Sequence, residues 1–245
     1  MDLNLKNKFI GDKNFYKMVL AVALPIMVQT GITNFVNLLD NLMVGQLGTE
    51  QMSGVAIVNQ LIFVYNICMF GAVSGSGLFT AQYYGKGDME GVRNTFRFKL
   101  ISAAALTALS FVVFLFFGKE LIGLYLSGSS DGGDIALTME SAWKYLLCML
   151  PGFIPFMLEQ AYASTLREGG ETVLPMKAGI VAVIINVSFN YLLIYGKFGF
   201  PELGVMGAGM ATSLARFVEA AIIIIWAHAH KKKLPFMEGL YRTFH

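Results

Sequence analysis

Charge is what this sequence has least of. Only 14% of its 245 residues are Asp, Glu, Lys or Arg, against about 25% in an ordinary soluble domain. The charges gather in short clusters with long apolar runs between them, a distribution that excludes a soluble globular fold. The composition is 56% hydrophobic and the mean hydropathy is +0.60. A net charge of +2 is too small to mark a nucleic-acid surface. Cysteine is scarce as well. Cys68 and Cys148 both lie inside apolar runs, which favours buried inert thiols over a disulfide and names no redox compartment. Catalytic signatures are missing. There is no H-E-x-x-H, no nucleophile–base constellation, and no Gly-Lys-Ser/Thr after a glycine-rich stretch. His228 and His230 lack metal-site spacing with other candidates. Neither an enzyme nor a resident cofactor is expected.

What the chain does have is six membrane-length apolar runs. A bilayer core about 30 Å thick needs roughly 20 apolar helical residues. The runs are 15–44, 53–81, 98–117, 142–162, 175–195 and 205–229. The first holds Pro25, which removes one backbone hydrogen bond and predicts a bend. The charged opening, Asp2 to Lys17, leads into a long span without an A-x-A-type site, unlike a cleavable signal peptide.

Positive charge orients the spans. Lys6, Lys8, Lys13 and Lys17 precede span 1, and Lys86, Arg93, Arg97 and Lys99 follow span 2. Arg167 and Lys177 follow span 4, and Lys231, Lys232, Lys233 and Arg242 follow span 6. All fall on one side if every run crosses. The other side holds Lys119 and Lys197, with Lys144 at a span edge, and carries Glu50, Glu120, Asp131, Asp134 and Glu202. Both ends are therefore expected in the cytoplasm of a multi-pass plasma-membrane protein, a bacterial inner membrane being the natural setting. Residues 1–230 read as one six-helix transmembrane lobe. Residues 231–245 read as a cytoplasmic connector leading toward a missing second lobe, so the chain reads as part of a longer protein. Lys231 to Lys233 suit a topological anchor at the anionic leaflet.

Polar residues inside the runs are the functional candidates. Asp40 is the only carboxylate well inside span 1. It lies about 7–8 Å below the outer surface at 1.5 Å per residue, and a charge at that depth normally faces a cavity or a partner. Asn186 and Asn190 share one face of span 5, and Thr212 of span 6 falls at a similar depth. One carboxylate with amide and hydroxyl oxygens suits Na⁺, or cages a titrating acid. Snorkelling of Asp40 and plain interhelical bonds by the asparagines fit the same residues. Gln29, Asn34, Asn37 and Gln60 could line a water-filled cavity or bond between helices. Glu159 and Glu219 lie near cytoplasmic span ends, where snorkelling suffices, and Arg216 lies more than halfway through span 6. Gly71 and Gly75 form a G-x-x-x-G, and Gly204, Gly207 and Gly209 cluster at the start of span 6. Both patterns suggest close helix packing.

In order and spacing these residues resemble the multidrug and toxic compound extrusion (MATE) family over nearly the whole chain. Span 1 reads Leu24-Pro25, then Asn37-Leu-Leu-Asp40-Asn-Leu-Met-Val-Gly45-Gln-Leu-Gly48. The next connections read Ala81-Gln82-Tyr-Tyr-Gly85-Lys-Gly87-Asp88 and Leu166-Arg167-Glu-Gly169-Gly-Glu-Thr172-Val-Leu-Pro175. Then come Ile185-Asn186-Val-Ser-Phe-Asn190-Tyr-Leu-Leu-Ile and Gly204-Val-Met-Gly207-Ala-Gly-Met-Ala211-Thr212. The resemblance implies an all-α fold in which this chain is one six-helix lobe of a twelve-helix pseudo-symmetric transporter. It implies export of cationic or amphiphilic drug-like compounds against inward H⁺ or Na⁺, with no other cofactor. Asp40, Asn186, Asn190 and Thr212 are then the cation-coupling residues, Na⁺ would sit at Asp40, Asn186 and Asn190, and Pro25 is the helix-1 kink. Some members carry Asp where this chain has Asn190, so this site has one carboxylate fewer. The implied partners are the bilayer and a second six-helix lobe, or a second copy of the chain. A lipid-linked-oligosaccharide flippase of related architecture, or a non-transporting scaffold, is the alternative.

The charge pattern makes a direct prediction. Green fluorescent protein fused after residue 230 should fluoresce and alkaline phosphatase there should be inactive, with both results reversed for fusions between spans 1 and 2. Phosphatase activity after residue 230 would invert the topology.

Overall fold

The computed structural model describes residues 12–127, 134–231, 234 and 237. The expected roles of Lys6, Lys8, Asp131, Lys232, Lys233 and Arg242, and of nearly all of the 231–245 connector, lie outside the described residues. Among those described, seven α-helices make six membrane-length units. They are α1 (Lys13–Gly45), α2 (Thr49–Lys86), α3 (Met89–Ser127), α4 (Ile135–Met149), α5 (Phe153–Glu168), α6 (Val173–Tyr195) and α7 (Val205–Ala229).

The helices outrun the apolar stretches that revealed them. α2 has 38 residues and α3 has 39, about 57 Å each at 1.5 Å per residue, well beyond the hydrocarbon. Polar residues continue a helix in water as readily as apolar ones, so hydropathy marks the embedded part and not the ends. Local chemistry sets the ends. Asp12 accepts from the Phe15 amide at 2.8 Å and caps α1, and Asp134 does the same for α4 with Ala136 and Leu137. Gly87 ends α2 at φ +73°, a left-handed geometry that glycine adopts without strain.

Span 4 is not one helix. α4 and α5 are joined by a 3₁₀ turn over Leu150–Gly152, with Pro151 inside it. Proline lacks the amide that would continue the α-helical ladder. It leaves the Leu147 carbonyl without its helical donor, and one residue on the Cys148 carbonyl accepts from the Ser213 hydroxyl of α7 at 2.6 Å. α1, by contrast, continues through Pro25 as one helix. Thr30 and Thr33 bond back to the Ile26 and Gln29 carbonyls there, at 2.9 and 3.0 Å. α1 packs mainly on α6, and α6 pairs with α7.

Two apolar clusters stack along the bundle. One includes Val58, Tyr65, Phe114, Phe153 and Ile194, the other Phe96, Tyr162, Leu166 and Ile223. Tyr65 stacks on Phe153 at 4.3 Å and exchanges a 3.0 Å hydrogen bond with Thr107. Lys99, counted above as a basic surface residue, is fully buried. It pairs with Glu168 and donates to Ser164 and Thr165 at 3.1 and 3.2 Å, tying α3 to α5. Long charged side chains enter an interior only when paired in this way.

The two glycine patterns part company. A Cβ on Gly207 would lie 2.6 Å from the Leu193 backbone, and one on Gly209 would lie 2.8 Å from Cys148 Cβ, so both permit close packing. Gly71 and Gly75 face open space, with nothing within 4 Å of a Cβ. Their expected helix packing is absent from the described residues. Gly207→Leu should therefore cost about 1–3 kcal/mol, while Gly75→Leu stays within about 0.5 kcal/mol. Thermal melts of the detergent-purified chain compare them, and equal losses would refute the packing assignment.

Candidate functional site

α1, α6 and α7 bring the four candidate residues together. Asn190, fully buried, donates from Nδ2 to Asp40 Oδ1 at 2.6 Å. Its other near neighbour is the Asn186 amide at 3.3 Å, one turn away on α6. Asn186 meets Thr212 Oγ1 at 3.1 Å, and that hydroxyl also lies 3.0 Å from the Ala208 carbonyl oxygen. Thr212 thus meets Asn186, one turn deeper than the Asn190 level at which its sequence position placed it.

The Asn186 amide is satisfied with its nitrogen toward Asp40, donating to Oδ1 at 3.0 Å and Oδ2 at 3.2 Å, and its oxygen accepting from Thr212 Oγ1 at 3.1 Å. An ionised carboxylate only accepts, so it requires the nitrogen. A protonated Asp40 is itself a donor and no longer requires it. The buried Asn190 Oδ1 has no hydrogen-bond partner among the described residues. The oxygens gathered around one carboxylate are therefore amide and hydroxyl. That donor set fits Na⁺ or a proton and not a transition metal, and among the described residues no group of three His, Cys, Asp or Glu could hold a metal.

Asp40 also lines a cavity of about 320 Å³ between α1, α2, α4 and α7. Its polar walls include Asn37, Asn41, Asn59, Asn66, Tyr145 and Arg216. Tyr145 donates to Asn59 Oδ1 at 3.3 Å, and Arg216 sits 4.7 Å over the Phe156 ring. Of the four lining candidates from sequence, only Asn37 belongs here. Asn34 and Gln60 are exposed and do not line this cavity. Gln29 accepts from Arg167 Nη2 at 3.1 Å, an interhelical bond. Asn59, Asn66 and Tyr145 escaped the sequence reading. Asn59 and Asn66 lie seven residues apart on α2, two helical turns on one face, and that spacing was the available signal.

Glu159 does not snorkel. It is 4% exposed, and both it and Glu219 lie within electrostatic reach of Arg167 and Arg216. Where a Cβ on Gly179 would stand, Glu219 Oε1 is 3.2 Å away and Gln29 Nε2 is 2.9 Å away. A second polar layer thus links α1, α5, α6 and α7 below the Asp40 layer. At the other end, Tyr195 of α6 donates to the Met43 carbonyl at 3.0 Å, and its hydroxyl lies 2.9 Å from Gln46 Oε1.

Comparison with known proteins follows this geometry. The family model described as MatE matches residues 25–192. A probable multidrug resistance protein NorM of Thermotoga maritima is 31% identical over 211 residues, covering 84% of this chain and 43% of that one. The multidrug resistance protein MdtK of Pectobacterium atrosepticum is 25% identical over 206 residues, covering 84% and 44%. A crystal structure of MATE in the bent conformation superposes with a TM-score of 0.75 at 22% identity, covering 88% of this chain and 46% of that one. The chain spans about half the length of the curated relatives it matches.

Removing the Asn190 amide strands the Asp40 carboxylate. Asn190→Ala should cost about 1–3 kcal/mol in thermal unfolding, against little for the exposed Ser188→Ala on the same helix. Equal melting temperatures for the two variants would show that the bond does not hold α1 to α6.

Proposed function

Since the chain belongs to the MatE family, we propose that it is the N-terminal lobe of a secondary active multidrug exporter. In this reading inward H⁺ or Na⁺, taken up at Asp40, drives the export of cationic or amphiphilic compounds. The observation that carries it is the Asp40–Asn190 contact at 2.6 Å beside a polar cavity in a membrane-spanning bundle. Transport, not catalysis, is the chemistry such a site supports.

In this reading the coupling step acts on the amide donors around Asp40. With Asp40 ionised, both amides donate to it and tie α1 to α6. A proton or Na⁺ arriving from outside removes the demand for donors. The Asn186 amide can then turn, and the tie to α1 weakens. α1 is free to respond near Pro25, where the Ala21 carbonyl lacks its helical donor. Substrate held in the cavity is then released outward. A ligand shifts such an equilibrium only by its difference in affinity for the two states, and Asp40 supplies that difference. Alternating access also needs a second bundle to rock against, in the same polypeptide or as a second copy. The membrane would be the plasma membrane with both ends of this segment cytoplasmic, as the basic residues favour. A lipid-linked-oligosaccharide flippase fits less well, since the cavity sets one Arg against one Asp rather than a basic surface.

Asp40→Asn in the full-length transporter should cut gradient-driven efflux from proteoliposomes by roughly tenfold or more, since the ion then has no state to prefer. Export of an ethidium-like cation at the unmodified rate, under both proton and sodium gradients, would sink the coupling role. Asn186→Ala should weaken the dependence on the gradient, and an unchanged dependence would remove Asn186 from the site.

A further inference from the structure

We infer that the preferred ligand of the Asp40 cavity is a zwitterion, with its amine toward Asp40 and its carboxylate on Arg216. As a statement about cargo this rests on the export reading above and narrows its substrate class.

The repeat of α7 places Arg216 for this role. Ala208, Thr212 and Arg216 are spaced four residues apart and share one helix face, and all three line the cavity with Asp40. Thr212 stands at the Asn186 level, beside Asp40. Arg216 lies one turn, about 6 Å, further toward the basic end of the bundle. The cavity therefore carries a carboxylate at one level and a guanidinium about a turn deeper.

The donors of Arg216 are not committed within the described bundle. Its Nη1 is buried and has no hydrogen-bond partner among the described residues. Those residues form two ion pairs, Lys99–Glu168 and Lys144–Glu140, and Arg216 is in neither. Glu159 and Glu219 lie within electrostatic reach, which makes a cation tolerable here without occupying its N–H groups. The Phe156 ring, 4.7 Å away, offers a π face and no acceptor oxygen. A guanidinium at membrane depth ordinarily has a paired acceptor, and a buried donor left unmade costs more than an ordinary hydrogen bond returns.

A carboxylate answers that demand, since its two oxygens match the paired N–H groups of the guanidinium. On the α2 wall of the same cavity, Asn66 Oδ1 is also buried without a partner. It accepts a hydrogen from an amine or hydroxyl of the same molecule. The choice between ligand classes follows. A plain cation satisfies Asp40 and leaves Arg216 unpaired with a like charge beside it. A plain anion satisfies Arg216 and meets Asp40 as a like charge. A molecule with both groups satisfies both ends.

A matched pair of dyes tests this. Rhodamine 110 carries a free carboxylate, and rhodamine 123 is its methyl ester, so the two differ in that group alone. Saturable binding to the full-length transporter in detergent is read by equilibrium dialysis. The acid should bind roughly tenfold more tightly than the ester, the worth of one hydrogen bond between charged groups. Arg216→Gln should abolish that ratio, and Arg216→Lys, which keeps the charge without the fork, should keep part of it. Equal affinities in the unaltered protein, no saturable binding of the acid, or a ratio that survives Arg216→Gln overturns the inference. Asn59→Cys, with Cys68→Ser and Cys148→Ser, reads the cavity with Arg216 in place. The acid should protect that cysteine from N-ethylmaleimide at a lower concentration than the ester does, and equal protection overturns the inference as well. Tighter binding of the acid without gradient-driven export of it from proteoliposomes would bear out the Arg216 site and refute the export reading instead.

Discussion

Hydrocarbon offers no hydrogen-bond partner, so every polar group that enters it must bring one from within the protein. This single constraint orders the described bundle. Asp40 is held by Asn190, Lys99 by Glu168, and the Cys148 carbonyl by Ser213. Each of these ties joins helices remote in sequence. The apolar surfaces could slide past one another at little cost, since lipid solvates leucine as well as leucine does. The polar ties set the register. Tyr65 works in the same way, fixing α2 against α3 through Thr107 while its ring stacks on Phe153.

The fold was legible because hydropathy and charge act along the chain, one residue after another. All six apolar runs reappear in membrane-length units, span 4 as α4 and α5 joined by a 3₁₀ turn. The cluster of Asp40, Asn186, Asn190 and Thr212 was legible for a related reason, since helical rise converts sequence position into depth. What depth cannot give is azimuth. Gln29, Asn34, Asn37 and Gln60 all had suitable residue types, yet only Asn37 faces the cavity. The same blindness hid Asn59 and Tyr145, turned Lys99 from an apparent surface anchor into a buried cation, and gave Gly71 and Gly75 a packing role that they lack here.

The two polar layers of the lobe share residues with the cavity in different ways. Asp40 and Arg216 line it directly, whereas Glu159 and Glu219 do not. α1 belongs to both layers, through Asp40 in one and Gln29 in the other. Phe35, Leu38 and Leu42 on it are each more than half exposed. A helix fastened at a few polar points and greased between them is held in place without being locked. The coupling proposed above, in which α1 is released and recaptured, requires that balance.

The turn at Pro151 gives the bundle a seam. α4 belongs to the apolar cluster built around Tyr65 and Phe153, and most of α5 to the one built around Phe96 and Tyr162. Between them the α-helical ladder is interrupted, and the Cys148 carbonyl takes a hydroxyl from α7. The lobe is thus built as two storeys with a landing between them. A disturbance at Asp40 enters the upper storey, and along span 4 it must cross that landing, and the Ser213 bond that props it, to reach the lower.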